Sequence, residues 1–174
     1  MVYCMAQNLQ AVVQVWEPGS VGGRALANIL AVKVNPSEKL PISIPRHSGQ
    51  IQMIYNHKPS QYFHKYIDGP STPLYPFGFG LSYTRFAYSS LKLSHTRISD
   101  KDSFTASIEL TNVGDREGTE VVQLYIRDIY SSATRPVKEL KDFARVTLKP
   151  GEKKTVTFTV TPDKLAYWNR NMQY

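Results

Sequence analysis

The feature that most constrains this chain is a strict two-residue alternation in its second half. Phe104, Ala106, Ile108 and Leu110 hold one parity, and Thr105, Ser107, Glu109 and Thr111 hold the other. Successive side chains of an extended chain point to opposite faces, so this pattern specifies a strand with one buried and one wet face. Val122, Leu124 and Ile126 alternate in the same way with Gln123, Tyr125 and Arg127, and Val156, Phe158 and Val160 with Thr155, Thr157 and Thr159. Turn-forming runs separate them: Asn112-Val113-Gly114-Asp115 and Lys149-Pro150-Gly151-Glu152. Short strands at this spacing, each wet on one face, predict an antiparallel β-sandwich beginning near Phe86.

The first half carries different signals. Leu9 to Trp16 is rich in β-branched residues and ends at Pro18-Gly19, which predicts a strand running into a turn. After Gly22-Gly23, residues Ala25, Leu26, Ile29 and Leu30 follow helical spacing, and Asn35-Pro36 stops the helix. Strand, glycine turn and helix make half of a β-α-β unit. The glycine pair lacks the G-x-G-x-x-G spacing of a phosphate cradle, so a tight turn with close helix packing is the better reading. Lys39 to Arg46 alternates between two prolines, as a short edge strand does, and Gln50 to Tyr55 alternates too. Residues 57–73 read as polar loop, and 74–86 as an aperiodic, aromatic- and glycine-rich loop at a domain junction.

Composition narrows the function classes. With 41% hydrophobic and 20% charged residues, the chain is ordinary globular protein. The formal net charge is +7, but its lysines and arginines are scattered, with no basic run that marks nucleic-acid binding. One cysteine, Cys4, rules out a disulfide within the chain, and four dispersed histidines give no metal-ligand spacing. No cofactor or metal is expected. No apolar run approaches the roughly 18 residues of a membrane span. Met1 to Gln14 has no basic leader and is broken by glutamines and asparagine, so no signal peptide is expected; read alone, that suggests a cytoplasmic protein.

Several segments together resemble glycoside hydrolase family 3. These are W-E-P-G-S-V-G-G at Trp16–Gly23, N-P-S-E-K-L-P at Asn35–Pro41, Y-N-H-K-P at Tyr55–Pro59 and L-Y-P-F-G-F-G-L-S-Y-T at Leu74–Thr84. The run Asn112–Asp128, the T-R-P-V-K-E-L of Thr134–Leu140 and the L-K-P-G-E of Leu148–Glu152 continue in order. The ending Tyr167-Trp168-Asn169 is similar to periplasmic β-glucosidases of that family. The resemblance implies an α/β fragment over residues 1–75, the tail of an α/β sandwich domain. An interdomain loop at 76–85 would follow, then an all-β immunoglobulin-like or fibronectin type III-like sandwich over 86–174 with its last strand missing. Ala31 and Glu38 stand where glycines are usual, and Glu17 where an aromatic or small residue is common.

The resemblance also implies where chemistry lies. Retaining glycoside hydrolysis needs two carboxyl groups about 5 Å apart, a nucleophile and an acid/base. In the family the nucleophile lies in an N-terminal barrel, and the acid/base glutamate upstream of the W-x-P-G segment. No catalytic residue is therefore assigned to this chain. Glu17 beside Trp16 is the most tempting acid, though a turn residue beside a packing tryptophan is the plainer reading. Asp68 reads as a turn-former, Asp115, Glu117 and Glu120 as solvent-facing hairpin residues, and Asp128 as a strand end. Among the loop aromatics, Tyr75 to Tyr83 suit interface packing. Tyr62 and Tyr66 lie in a polar loop, where sugar stacking and packing are both open, and they are the candidate substrate-binding residues. The implied parent is a periplasmic or secreted β-glucosidase-type enzyme acting on a β-glucoside or oligosaccharide, without nucleic-acid or membrane partners. The alternatives are a non-catalytic carbohydrate- or protein-binding module, or the tail of a β-xylosidase or α-arabinofuranosidase.

Overall fold

The computed structural model describes residues 2–50, 52–59 and 69–174. The chain divides into two compact units, one of Met1–Tyr55 with Ser60–Ser82, the other of Asn56–Pro59 with Tyr83–Tyr174.

The second unit is built of strands. In chain order these are β1 (Phe86–Tyr88), β2 (Lys92–Leu93), β3 (Phe104–Asn112), β4 (Gly118–Ile126), β5 (Glu139–Leu148) and β6 (Lys153–Val160), followed by a short helix at Pro162–Leu165. β3 is the centre of a four-stranded sheet: β1 and β2 pair with one edge and β6 with the other, all antiparallel. β4 and β5 form a separate two-stranded antiparallel sheet. The alternation decides what faces inward. Val156, Phe158 and Val160 are buried while Thr155, Thr157 and Thr159 are exposed, and Leu110, Val122, Val146, Leu148, Val156 and Phe158 close into one cluster drawn from both sheets. Two sheets covering each other's apolar faces make a sandwich, and each such side chain contributes about 1.5–3 kcal/mol by leaving water.

Both anticipated turns form. At Lys149-Pro150-Gly151-Glu152 the Glu152 N–H donates to the Lys149 carbonyl at 3.0 Å. Gly151 there has φ +75°, the left-handed backbone that a proline-led turn of this kind requires at its third residue. At the other turn the anchor is Asn112, fully buried. Its Oδ1 accepts from Thr84 Oγ1 at 2.7 Å and from the Gly114 N–H at 3.1 Å, while its Nδ2 donates to the carbonyls of Arg116 at 2.7 Å and Leu148 at 2.9 Å. A Cβ on Gly114 would lie 2.1 Å from Thr84 Oγ1, so only glycine fits this approach.

Among its described residues the first unit has two helices, α1 (Val2–Asn8) and α2 (Gly22–Leu30), and little else that is regular. The strand expected over Leu9–Trp16 is not there. Residues 11–16 are irregular and mostly exposed, because no neighbouring segment among the described residues supplies the ladder of hydrogen bonds that a strand needs. The edge strand expected over Lys39–Arg46 reduces to an isolated bridge between Ile44 and Tyr75, with further bonds from Leu40 N to Phe79 O and Gly78 N to Leu40 O, both 2.8 Å. Pro41 and Pro45 have no N–H to extend it. Residues 52–55 form no strand either.

α2 does start at the glycine pair. A Cβ on Gly22 would meet Pro18 side-chain carbons at 2.4 Å, whereas Gly23 has open space, so the first glycine serves close packing. The helix ends in a Schellman arrangement: Val32 N–H reaches the Ile29 carbonyl and Lys33 N–H the Asn28 carbonyl, both at 2.9 Å. The left-handed residue of that cap is Val32, φ +58°, while Ala31 has an ordinary φ of −78°. The position that calls for glycine is thus Val32, one residue beyond the Ala31 singled out from sequence.

Candidate functional site

Tyr62 and Tyr66, the candidate sugar-contacting residues, lie outside the described residues, as does Asp68. Glu17 is solvent-exposed beside a half-exposed Trp16, so the apolar pocket that acid chemistry would require does not form around it. Asp115 and Glu117 face solvent as expected. Glu120 does not: it is only 7% exposed. Parity explains the correction, since Gly118, Glu120 and Val122 share the inward face of β4. The carboxylate accepts from the Val121 N–H at 3.0 Å and from the Tyr88 hydroxyl. Burial and this carboxylate together push the Tyr88 phenol far above its ordinary range.

The aromatic loop forms two stacks within the first unit. Tyr55 and Phe77 lie with ring centroids 4.1 Å apart and planes 13° from parallel; Tyr75 and Phe79 lie at 5.3 Å and 18°. Faces engaged with one another in this way make Tyr75, Phe77 and Phe79 packing residues within this unit. The Ser43 hydroxyl accepts from the Phe77 N–H at 3.2 Å, and Ser82 Oγ donates to Asn35 Oδ1 at 2.8 Å. A Cβ on Gly80 would lie 2.4 Å from the Glu38 carbonyl oxygen, so the second glycine of Phe-Gly-Phe-Gly is required by a backbone crossing.

The second unit holds a charged cluster that motif reading did not reveal. Arg135 sits in the loop before β5, largely buried. Its Nη2 donates to Glu139 Oε2 at 2.6 Å, its guanidinium carbon lies 4.3 Å from the Tyr167 ring centre, and Asp128 Oδ2 is 3.8 Å from its Nε. Tyr167 bonds Ser131 and Ser132, which draw its phenol below its usual range. Lys141 Nζ lies 3.5 Å from the other Glu139 oxygen, and Lys164 Nζ donates to Asp142 at 2.5 Å and to the Thr159 carbonyl at 2.8 Å. The β4–β5 register explains how Lys141 reaches this place. Leu124 pairs with Asp142 and Tyr125 with Leu140, so Lys141 is the extra residue of a bulge, which re-aims its side chain. The only signal in the sequence was the Arg135–Glu139 spacing, which says nothing about the lysines. Among the described residues no group of acids, histidines or cysteines could hold a metal ion, and no helix is long and apolar enough to cross a membrane.

Comparison with known proteins gives this arrangement its context. Residues 1–83 match the glycosyl hydrolase family 3 C-terminal domain, and residues 120–174 a fibronectin type III-like domain. The chain is 46% identical to a periplasmic β-glucosidase of Salmonella typhimurium, over 97% of this chain and 23% of that protein. It is 43% identical to a β-xylosidase of Formosa agariphila, over 97% of this chain and 24% of that one. The solved structure of a β-glucosidase from Erythrobacter marinus superposes with a TM-score of 0.93 at 43% identity, covering 97% of this chain and 22% of that one. The chain thus spans about a quarter of the length of these relatives. It belongs to glycosyl hydrolase family 3, carrying sequence of that family's C-terminal domain followed by a fibronectin type III-like domain.

Proposed function

We propose that this chain is the C-terminal part of a β-glucosidase-type glycoside hydrolase, which cleaves terminal β-linked sugars by the retaining two-carboxylate route. The observation that carries the reading is the 46% identity, across nearly the whole chain, to a periplasmic β-glucosidase. No residue of the chain is assigned a catalytic role, and the chain alone is expected to be inactive. Its described carboxylates support that reading: Asp128, Glu139 and Asp142 are tied to Arg135, Lys141 and Lys164, and Glu17 lies open to solvent. Residues 1–75 are read as the tail of an α/β sandwich domain, 76–85 as the interdomain loop and 86–174 as a fibronectin type III-like, immunoglobulin-like sandwich. The remainder of the α/β layer and an N-terminal barrel would then be the partners of the first unit, whose apolar residues are widely exposed. Tyr62 and Tyr66 are proposed to stack on the sugar. A periplasmic site of action follows the named location of the Salmonella relative, with a secreted one as the alternative.

The test has two arms. The purified 174-residue chain should not turn over an aryl β-glucoside; turnover that disappears in Glu17→Gln would overturn the assignment. A chimera carrying this chain in place of the matching segment of the Salmonella enzyme should hydrolyse the same substrate, and Tyr66→Ala in it should raise KM. A folded but inert chimera would count against the reading. A second reading, the tail of a β-xylosidase, is favoured by the 43% identity to the Formosa protein. It would prevail if the full-length protein had the higher kcat/KM on an aryl β-xyloside.

A further inference from the structure

We propose that the second unit binds a small oxyanion in the cavity between the end of β4, the start of β5 and the Pro162–Leu165 helix. The ligand is either the carboxylate of an acidic sugar or a free inorganic anion. The cavity is about 290 Å³. A water molecule takes up about 30 Å³ of liquid, so the space suits a ligand of several atoms, at the small end of ligand pockets. Arg127, Arg135, Lys141 and Lys164 line it, against only the carboxylates of Asp128 and Glu139. Counting Asp142, which is bound to Lys164, the cluster still has an excess of positive charge.

The pairing within the cluster leaves a place for an anion. Glu139 serves two cations at once, Arg135 through one oxygen and Lys141 through the other. Arg135 Nε is buried and has no hydrogen-bond partner among the described residues; Asp128 at 3.8 Å supplies charge but is too distant to accept its proton. A guanidinium presents its N–H groups in a fixed fork, so with Nη2 held by Glu139 the Nε–H direction is set. An oxyanion in the cavity would accept from Nε–H in a charge-assisted bond, with the Lys141 and Lys164 ammonium groups nearby and exposed Arg127 at the rim. This proposal concerns the second unit alone and stands apart from the enzymatic reading of the parent.

The experiment is an NMR titration of the full chain that follows the Arg135 Nε–H resonance while sodium glucuronate, sodium sulfate or glucose is added at constant ionic strength. A saturable shift with glucuronate or sulfate, and none with glucose, is the expected result. Preference for glucuronate identifies an acidic sugar as the source; equal or stronger response to sulfate identifies a free anion. Arg127→Gln should weaken the binding about threefold to tenfold, and Arg135→Lys should remove the thermal stabilisation that the anion gives. Should Arg135→Lys fail to fold, Arg127→Gln carries the test, because that side chain is exposed. A non-saturating response, an equal shift with glucose, or unchanged affinity in Arg127→Gln would overturn the proposal.

Discussion

The two units solve the burial problem to different degrees. Every buried apolar side chain of the described core, from Ala106 to Val160, belongs to the second unit. In the first unit Val21 is 71% exposed and Leu30 61%, and Leu9, Val13, Trp16 and Ile42 are about half exposed or more. Its fully buried polar residue, Gln50, is held by local bonds: it accepts from Arg46 N–H at 2.8 Å and donates to the Pro70 carbonyl at 2.9 Å. The difference follows from element type. Two facing sheets with period-two patterning cover each other from one continuous stretch of chain. A short amphipathic helix beside irregular chain buries its stripe only against a further layer. A family-level match thus extends over two segments of unequal self-sufficiency.

The largest effect that separates the units is a core truncation. Leu110→Ala, at a fully buried position, should cost about 4 kcal/mol in a denaturant melt, while Leu30→Ala should cost under about 0.5 kcal/mol. Equal losses would mean that the first unit has a core of its own, and the comparison would fail. Next comes Asn112→Ala, expected to cost about 3 kcal/mol. It deprives the Gly114 N–H and the Arg116 and Leu148 carbonyls of a partner in a buried setting. A loss below about 1 kcal/mol would show that solvent replaces the bonds.

A smaller effect of opposite sign is expected in the first unit. Val32→Gly relieves a β-branched residue of left-handed backbone and should stabilise the end of α2 by about 1 kcal/mol, read as slower amide exchange at the substituted residue and at Lys33. Unchanged exchange would mean that the helix end opens by another route. The smallest effect is electrostatic. The Lys164 ammonium bonded to Asp142 holds its carboxyl below the ordinary range. A lowered folded-state pKa gives stability that is present above the ordinary value of about 4 and is lost as pH falls through the folded one. With a third of that side chain exposed and screened, the difference should stay under about 1 kcal/mol. Lys164→Met should return the Asp142 titration to the ordinary range and flatten the acid limb; an unmoved Asp142 would show that its partner lies elsewhere.

Much of the second unit was legible from residue order. The parity of β6 matched its buried face residue by residue, that of β3 put Ala106 and Leu110 inside, and both turns formed where proline, glycine and asparagine stood. The first unit was legible only at its glycines and its one amphipathic helix. Leu9–Trp16 has strand-forming residues but no pairing strand among the described residues, and a propensity without a ladder does not make a strand. Glu120 was misread because crowding of acids in a hairpin suggests solvent, whereas the parity it shares with Val122 puts it inside. The charged cavity was hidden for another reason: its members come from a strand end, a loop, a bulge and a helix, separated by up to 37 positions between Arg127 and Lys164.

The sequence by itself determined the family, the sandwich faces, the two tight turns and the start of α2, because each rests on local backbone rules or on a periodicity read over a few residues. Tertiary structure alone decided which extended segments became strands, that the Tyr88 hydroxyl meets the Glu120 carboxylate, and that Lys141 turns toward Arg135. Those outcomes depend on partners distant in the chain. Hydrogen-bond ladders, bulges and charge pairs gain their energy only when both sides are brought together.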